Sequence, residues 1–308
     1  MHSTNSYLYT LLERIRAYLD EPSVDAKYDN EYIVRHVICP AQVDVMSRLA
    51  LTSGSPVILL FDITIVDDQD YYVLPPCVQQ VLRFVLSTDD QVPIFDAMPR
   101  SIFHRNGSGW AIEGTPGAMT LRVSGGNPND FDGTVWYTSN GDVLPHYGTG
   151  TLADSSGTDR VTLTASPTLG VLDRRENAYA GQVLRILPSS PGPVEERQIS
   201  RSYYSGGSWY AEVRNPFTTT ADGSVTYEIA PAGSQALYEA VATASALKLG
   251  VGRKISQVHR DAIQYQHRVA MKTIGDLLTN VQGRLPHFID KNTVDNPTTR
   301  EFSWIPLR

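Results

Sequence analysis

Of the short motifs that could carry chemistry, Gly148 to Ala153, "GTGTLA", comes nearest to a nucleotide site. A GxGxxA pattern lets backbone approach a pyrophosphate where a strand passes into a helix. The residues that follow, "DSSGTDRVTLTA", carry turn and strand signals, so the stretch reads as β structure and not as a cofactor loop. Asn127 to Gly133, "NPNDFDG", gathers oxygen ligands on a tight turn, the chemistry of a hard cation such as calcium. Gly133 is out of register for an EF-hand, and an Asx-rich turn is the favoured reading. Asp67, Asp68 and Asp70 read as a solvated turn on the same grounds. Glu113, Asp130, Asp132 and Asp142 lie in one β-rich stretch, where two of them at a suitable separation would serve glycoside hydrolysis. Spacing along the chain leaves that separation open. His36, His259 and His267 fall in helical patterns with no serine or cysteine and carboxylate in a recognisable order around them, and they read as surface or packing residues. There is no GxxxxGK[ST] loop, HExxH helix or GxSxG elbow. The expectation is therefore a protein that is not an enzyme and uses no catalytic residue, cofactor or metal.

The elements that would position any site follow from hydrophobic period. In "YLYTLLERIRAYLD", Leu8, Leu12, Ile15 and Leu19 mark one face of a helix. A second helical pattern runs from Asn30 through Val43, Met46 and Ala50, with Pro40 starting a new segment or kinking a longer one. From Pro56 the period becomes two, so "FDITIV" and "YYVLP" read as a hairpin about the turn at Asp67 to Asp70. Pro75 and Pro76 then end ladder bonding and preset the first turn of a short helix. Between about Met98 and Pro231, short β patterns alternate with glycine-rich turns, as in a β-sandwich or small barrel. Helical period returns at Ser234, with Leu237, Val241, Ala244 and Leu247 on one face, and breaks at "GVG", Gly250 to Gly252. A second stripe, Ile255, Val258, Ala262, Tyr265 and Val269, is suited to a partner helix or to a neighbouring subunit. The last stretch has no period, and closes on Phe302, Trp304, Ile305 and Pro306, an aromatic anchor on an extended arm.

Composition restricts the class further. The chain has 308 residues, of which 41% are hydrophobic, enough for a substantial core. Its charge is polarised: residues 1–98 carry 6 basic and 14 acidic side chains, residues 99–233 carry 10 and 13, and residues 234–308 carry 10 and 6. That asymmetry suits solvated faces or head-to-tail association. Cys39 and Cys77 cannot build a disulfide framework and read as buried apolar residues of a chain folded under reducing conditions. Glu13, Arg14 and Arg16 interrupt any signal-peptide core, and no run approaches the roughly 18 apolar residues that cross a bilayer. The expectation is a soluble protein with no membrane partner.

The order of these elements resembles the head-to-tail adaptor, or connector, proteins of tailed bacteriophages. The resemblance rests on "YYVLPPCVQQVLRFV", where Tyr72, Leu74, Pro75 and Val78 to Val85 match an aromatic strand ending in Leu-Pro. It rests also on Trp110, Gly114, Thr115 and Pro116, and on the alanine-rich helix pair after Ser234. It covers roughly residues 7–125 and 234–282. The longer β segment departs from compact adaptors, and within it Asn177, Tyr179, Gly181, Tyr227 and Ile229 are similar to a β module of phage structural proteins.

The resemblance implies an α+β chain in four parts: residues 1–98, helical core and hairpin; 99–231, an inserted β domain; 232–284, the closing helix pair; and 285–308, the extended arm. It further implies a virion neck protein, made in the host cytoplasm, that forms a ring of about twelve copies between portal and tail. Such a ring would touch the portal, a tail or nozzle protein, and double-stranded DNA passing through without sequence recognition. Phe302, Trp304, Ile305 and Pro306 would dock on the portal, and Arg253, Lys254, Arg260 and Arg268 would face a neighbouring subunit or the channel. A second reading is a receptor- or glycan-binding tail protein using the β-rich region. Trp110, Trp136 and Trp209 suit either such a surface or a β core. A third is a glycan-cleaving tail enzyme.

Overall fold

The computed structural model describes residues 6–21, 27–53, 58–66, 69–87, 94–95, 109–124, 131–152, 159–188, 193–218, 224–253, 255–282, 287–290 and 302–305. Helix α1 (Tyr7–Tyr18) is followed by α2 (Asn30–Ile33), which runs through a π turn (Val34–Ile38) into α3 (Cys39–Ser53). The π turn explains how Pro40 is tolerated. Proline cannot donate to the preceding turn, and the wider π spacing absorbs the lost bond without breaking the rod. Near the other end of the chain come α4 (Ser234–Arg253) and α5 (Gln257–Gln282). Helix α4 passes straight through "GVG". A Cβ on Gly250 would lie 2.7 Å from Ile255 Cδ1, and one on Gly252 would lie 2.8 Å from the Tyr28 hydroxyl. Both glycines serve close packing, and the helix break falls just after Arg253.

The chain is α+β, with helices and strands in separate layers. Strands β1 (Ile58–Ile65), β7 (Phe131–Ser139), β3 (Val78–Ser87) and β4 (Ile94–Phe95) form one sheet in that order. Strands β2 (Tyr71–Val73), β6 (Ala118–Ser124) and β5 (Gly109–Thr115) form a second. The expected hairpin of β1 with β2 is thus corrected: β1 pairs antiparallel with β7, and β2 with β6. Tyr72 makes the corner between the sheets, its hydroxyl accepting from Val66 N at 2.9 Å and donating to Gln69 O at 2.8 Å. The double proline does end β2, but a single turn closed by Val78 N on Pro75 O (3.0 Å) leads into strand β3 and not into a helix. β-Branched Val78, Val81 and Val85 favour extended backbone there.

The third sheet contains β10 (Leu169–Gly170), β8 (His146–Thr151), β14 (Ser224–Ala230), β11 (Val183–Leu187), β12 (Glu195–Ser205), β13 (Ser208–Val213) and β9 (Arg160–Leu163), in that spatial order. A bridge from Leu152 to Val161 joins the chain end of β8 back to β9, so six of these strands close on themselves in a barrel-like ring. The expected domain boundary at residues 98 and 99 does not hold. Strand β7 lies between β1 and β3, so strands on either side of that cut share one sheet, and buried residues from Leu59 to Ile229 form one continuous β core. A second core, built from α1 to α5, includes Tyr147, Leu169, Leu187 and Ala230 of the barrel, which seats the helical layer on it.

The arm also differs from expectation. His287–Asp290 (β15) and Phe302–Ile305 (β16) pair antiparallel, with Phe288 opposite Trp304. Aromatic and β-branched residues at both ends of the arm suit a two-stranded ladder, which sequence spacing concealed because the strands are only 4 residues each.

Candidate functional site

Helix α5 is the element whose surface is least explained by the fold. Ile263, His267, Ala270 and Ile274 recur at helical spacing and are buried, and they hold the helix against the rest of the layer. His267 Nδ1 lies 3.0 Å from Thr243 Oγ1 on α4, and that hydroxyl donates back to Glu239 O at 2.7 Å. Burial, helped by the neighbouring charge of Arg48, holds the His267 imidazole below its usual range. Helix α4 itself is buried on almost every side, with Ala240, Ala242, Thr243, Ser245 and Ala246 fully enclosed. Small residues there let α1, α3 and α5 approach closely.

The opposite face of α5 is apolar as well. Val258 is 80% exposed, Tyr265 59% and Val269 44%, and Ala262 is exposed between them. These are the stripe residues of the sequence, and they point away from the fold's own core. Ile255 alone of that set is half-buried. A 26-residue helix with one stripe in the core and a second in solvent presents a ready surface for association.

The other predicted contacts fall in different places. Arg260 and Arg268 both lie on α5, half-buried and exposed respectively, with no ion pair shown for either among the described residues. Arg253 ends α4, and Lys254 lies outside the described residues. Phe302, Trp304 and Ile305 lie on β16, and Pro306 is outside the described residues. Asp67, Asp68 and Asp130 are outside them too. Glu113 sits on β5 beside Arg122 (3.6 Å), Asp132 on β7 accepts from Thr64 (3.0 Å), and Asp142 accepts from the Cys39 thiol (3.8 Å). These three carboxylates lie on different elements with different partners. Of the pattern "GTGTLA", Gly148 to Thr151 lie in strand β8 and Leu152 bridges to Val161, while Ala153 is outside the described residues. Trp110 is buried, Trp209 half-buried, and Trp136 37% exposed.

Sequence reasoning passed over the polar group that joins the two layers. Glu228 of β14 is buried, and its carboxylate accepts from Tyr7 N (2.7 Å), Leu8 N (3.3 Å) and Ser6 Oγ (2.7 Å). Ser6 Oγ accepts from Tyr9 N (3.2 Å) and Ser6 O from Thr10 N (3.1 Å). The free amides of Tyr7, Leu8 and Tyr9 in the first turn of α1 are thereby satisfied, and Thr10 N makes the first regular helix bond. Arg185 on β11 pairs with Glu228 and, on its other side, with Glu196 at 2.7 Å, a row of charges directly across three strands. The only sequence signal was a lone charged residue in the strand pattern "VTYEIA".

A cleft of about 730 Å³ between the π turn and the loop after β10 is lined by Arg35, Arg174 and Arg175. Arg175 grips Asp173 (2.6 Å) and Arg35 pairs with Glu31, so most of its positive charge is already neutralised.

No family model matches the sequence, and no curated protein matches it. Among solved structures, the flagellar hook junction protein FlgK from Burkholderia pseudomallei aligns at 11% identity and a TM-score of 0.13, over 85% of this chain and 63% of that one. A likeness of this size carries no argument. Among the described residues no helix is long and apolar enough to cross a membrane.

Proposed function

We propose that the protein is a structural, non-catalytic adaptor of a tailed-phage neck, assembling through α5 into a ring between portal and tail. The observation that carries this reading is the outward stripe of Val258, Ala262, Tyr265 and Val269, an apolar helix face that the subunit's own core does not use. Charge adds to it: residues before position 99 carry a net excess of acidic side chains and residues after 233 a net excess of basic ones, so unlike charges are available to the heterologous contacts of a ring. The sequence order shared with phage adaptors supplies the rest. On this reading Arg268, exposed on α5, faces a neighbour or the passing DNA backbone, which is bound by charge and without base readout. The terminal strand bearing Phe302, Trp304 and Ile305 is the portal contact, in a virion assembled in the host cytoplasm.

The test is the oligomeric state of the purified full chain, by mass measurement and negative-stain imaging. Closed rings with a central opening that dissociate in Tyr265→Asp and Val269→Asp, while the circular dichroism of the subunit is retained, are the expected result. A monomer at every concentration, or rings that these substitutions leave intact, would overturn the assignment of α5.

A further inference from the structure

A second surface, lined by no residue of α5, is a cleft of about 430 Å³ between strand β1 and the tip of the β12–β13 hairpin. We infer that this cleft binds a neutral carbohydrate chain, a binding activity separate from ring assembly.

Three tyrosines give the cleft its character. Tyr71 is 48% exposed and Tyr204 60%, while Tyr203 is half-buried beside them. Each ring is held by a neighbour. The Arg122 guanidinium lies 5.2 Å from the Tyr71 ring centre, Arg201 lies 4.7 Å from that of Tyr203, and the Trp209 ring is 5.5 Å from that of Tyr204. Rings fixed before a ligand arrives lose little further freedom on binding. The tip that carries them is itself sharply defined, since Gly206 and Gly207 both adopt positive φ (56° and 88°), the backbone of a two-residue hairpin turn.

Polar groups converge on the same space. Asp62 is held by Arg214 (2.5 Å) and Thr134 (3.0 Å), and Asn177, at φ 57°, donates from Nδ2 to Val73 O (3.2 Å). Glu176, exposed next to it, has no hydrogen bond or ion pair shown among the described residues. Arg201 is balanced by Glu212. Among the described residues the lining therefore has two carboxylates, one guanidinium that is already paired, and no lysine. An anionic ligand would meet no free cation, and a lipid chain would meet too many polar groups. A sugar satisfies both features at once, because its C–H faces lie on aromatic rings while its hydroxyls reach carboxylates and amides that fix orientation. The cleft's size is within the range of sites for small ligands.

The test uses the full chain on an array of immobilised neutral and acidic oligosaccharides, with binding of a retained neutral glycan then followed by the fluorescence of Trp209 against Tyr204. Retention of at least one neutral glycan is expected, reduced tenfold or more in Tyr204→Ala and in Tyr71→Ala, lowered in Glu176→Gln, and unchanged in Val258→Asp. Both tyrosines are well exposed, so neither change threatens folding. Retention of acidic glycans alone, no retention of any glycan, or retention that Tyr204→Ala leaves unaltered would overturn the inference. So would binding of extended peptides along β1 with no glycan binding, which would make the cleft a site of strand addition. Ring formation is read separately, and its failure would leave this result standing.

Discussion

Tyr227 and His146 show how residues that look chemically able are committed to packing. The imidazole stacks on the phenol at 5.4 Å between ring centres, and its Nε2 lies 2.7 Å from the hydroxyl, which also accepts from Thr164 N at 2.8 Å. His146 is fully buried, and burial lowers its pKa from 6.5 to about 4. The unfolded chain therefore binds the proton more readily than the folded one between those values. The stabilisation is present above pH 6.5, declines as the pH falls, and is lost below about pH 4, a change of about 3 kcal/mol. Urea denaturation of wild type and of His146→Phe across pH 4 to 7 should show a steeper acid decline in the wild type. Equal slopes would mean that another group carries the acid sensitivity. The cysteines follow the same logic: both are buried, as the sequence suggested, and burial pushes the Cys39 thiol up to about 12 and raises that of Cys77, which keeps both protonated. Position in a motif predicted none of this for His146, because its partner lies 81 residues away.

At the scale of elements, strand β8 replaces a supposed nucleotide loop with a packing device. A Cβ on Gly150 would lie 2.0 Å from the backbone oxygen of Thr162 and 2.8 Å from the Tyr227 ring, and one on Gly148 would lie 2.6 Å from Thr164. The two glycines let β9 and the Tyr227 side chain press against β8, which is what allows the sheet to close by the Leu152 to Val161 bridge. A backbone carbonyl cannot turn aside as a side chain can. Gly150→Ala should therefore destabilise by about 1–3 kcal/mol, the cost of overfilling a packed site. Chemical denaturation would measure it, and a loss below about 0.5 kcal/mol would show that the barrel seam is not tight there. Helices were the elements most legible in the sequence, since Leu8, Leu12 and Ile15 repeat without interruption and are all buried. Strand positions were also legible. Strand partners were not: β1 alternates as expected, yet its partner begins 66 residues beyond its last residue, and nothing in a period of two says which strand lies alongside.

For the whole molecule, the same limit decided where the chain was expected to divide. A shift in composition near residue 98 suggested an independent β insertion on a helical core, but composition reports what a segment is made of and not what it packs on. Strand β7 completes the sheet begun by β1 and β3, and Tyr137 on it donates to Ala180 O at 2.8 Å. Gly181, at φ 82°, has no room for a Cβ, which would lie 2.4 Å from the Tyr137 hydroxyl and 3.1 Å from Leu60 O. The Asn-x-Tyr-x-Gly motif at residues 177–181 is thus a joint between the four-stranded sheet and the barrel. Beyond it, Glu228 supplies the cap of α1, and Tyr147, Leu169, Leu187 and Ala230 floor the helical core. Excising residues 130–228 behind a glycine linker would remove β7, the joint, the cap and most of that floor together. The helices would keep their sequence but expose Leu11, Leu12 and Val241, and the first amides of α1 would lose Glu228. Short amphipathic helices draw their stability chiefly from such packing. The expected product is insoluble or lacks a cooperative thermal transition in circular dichroism. A soluble, cooperatively melting helical remnant would show that the helical layer folds without the barrel and that the two cores are coupled only by contact.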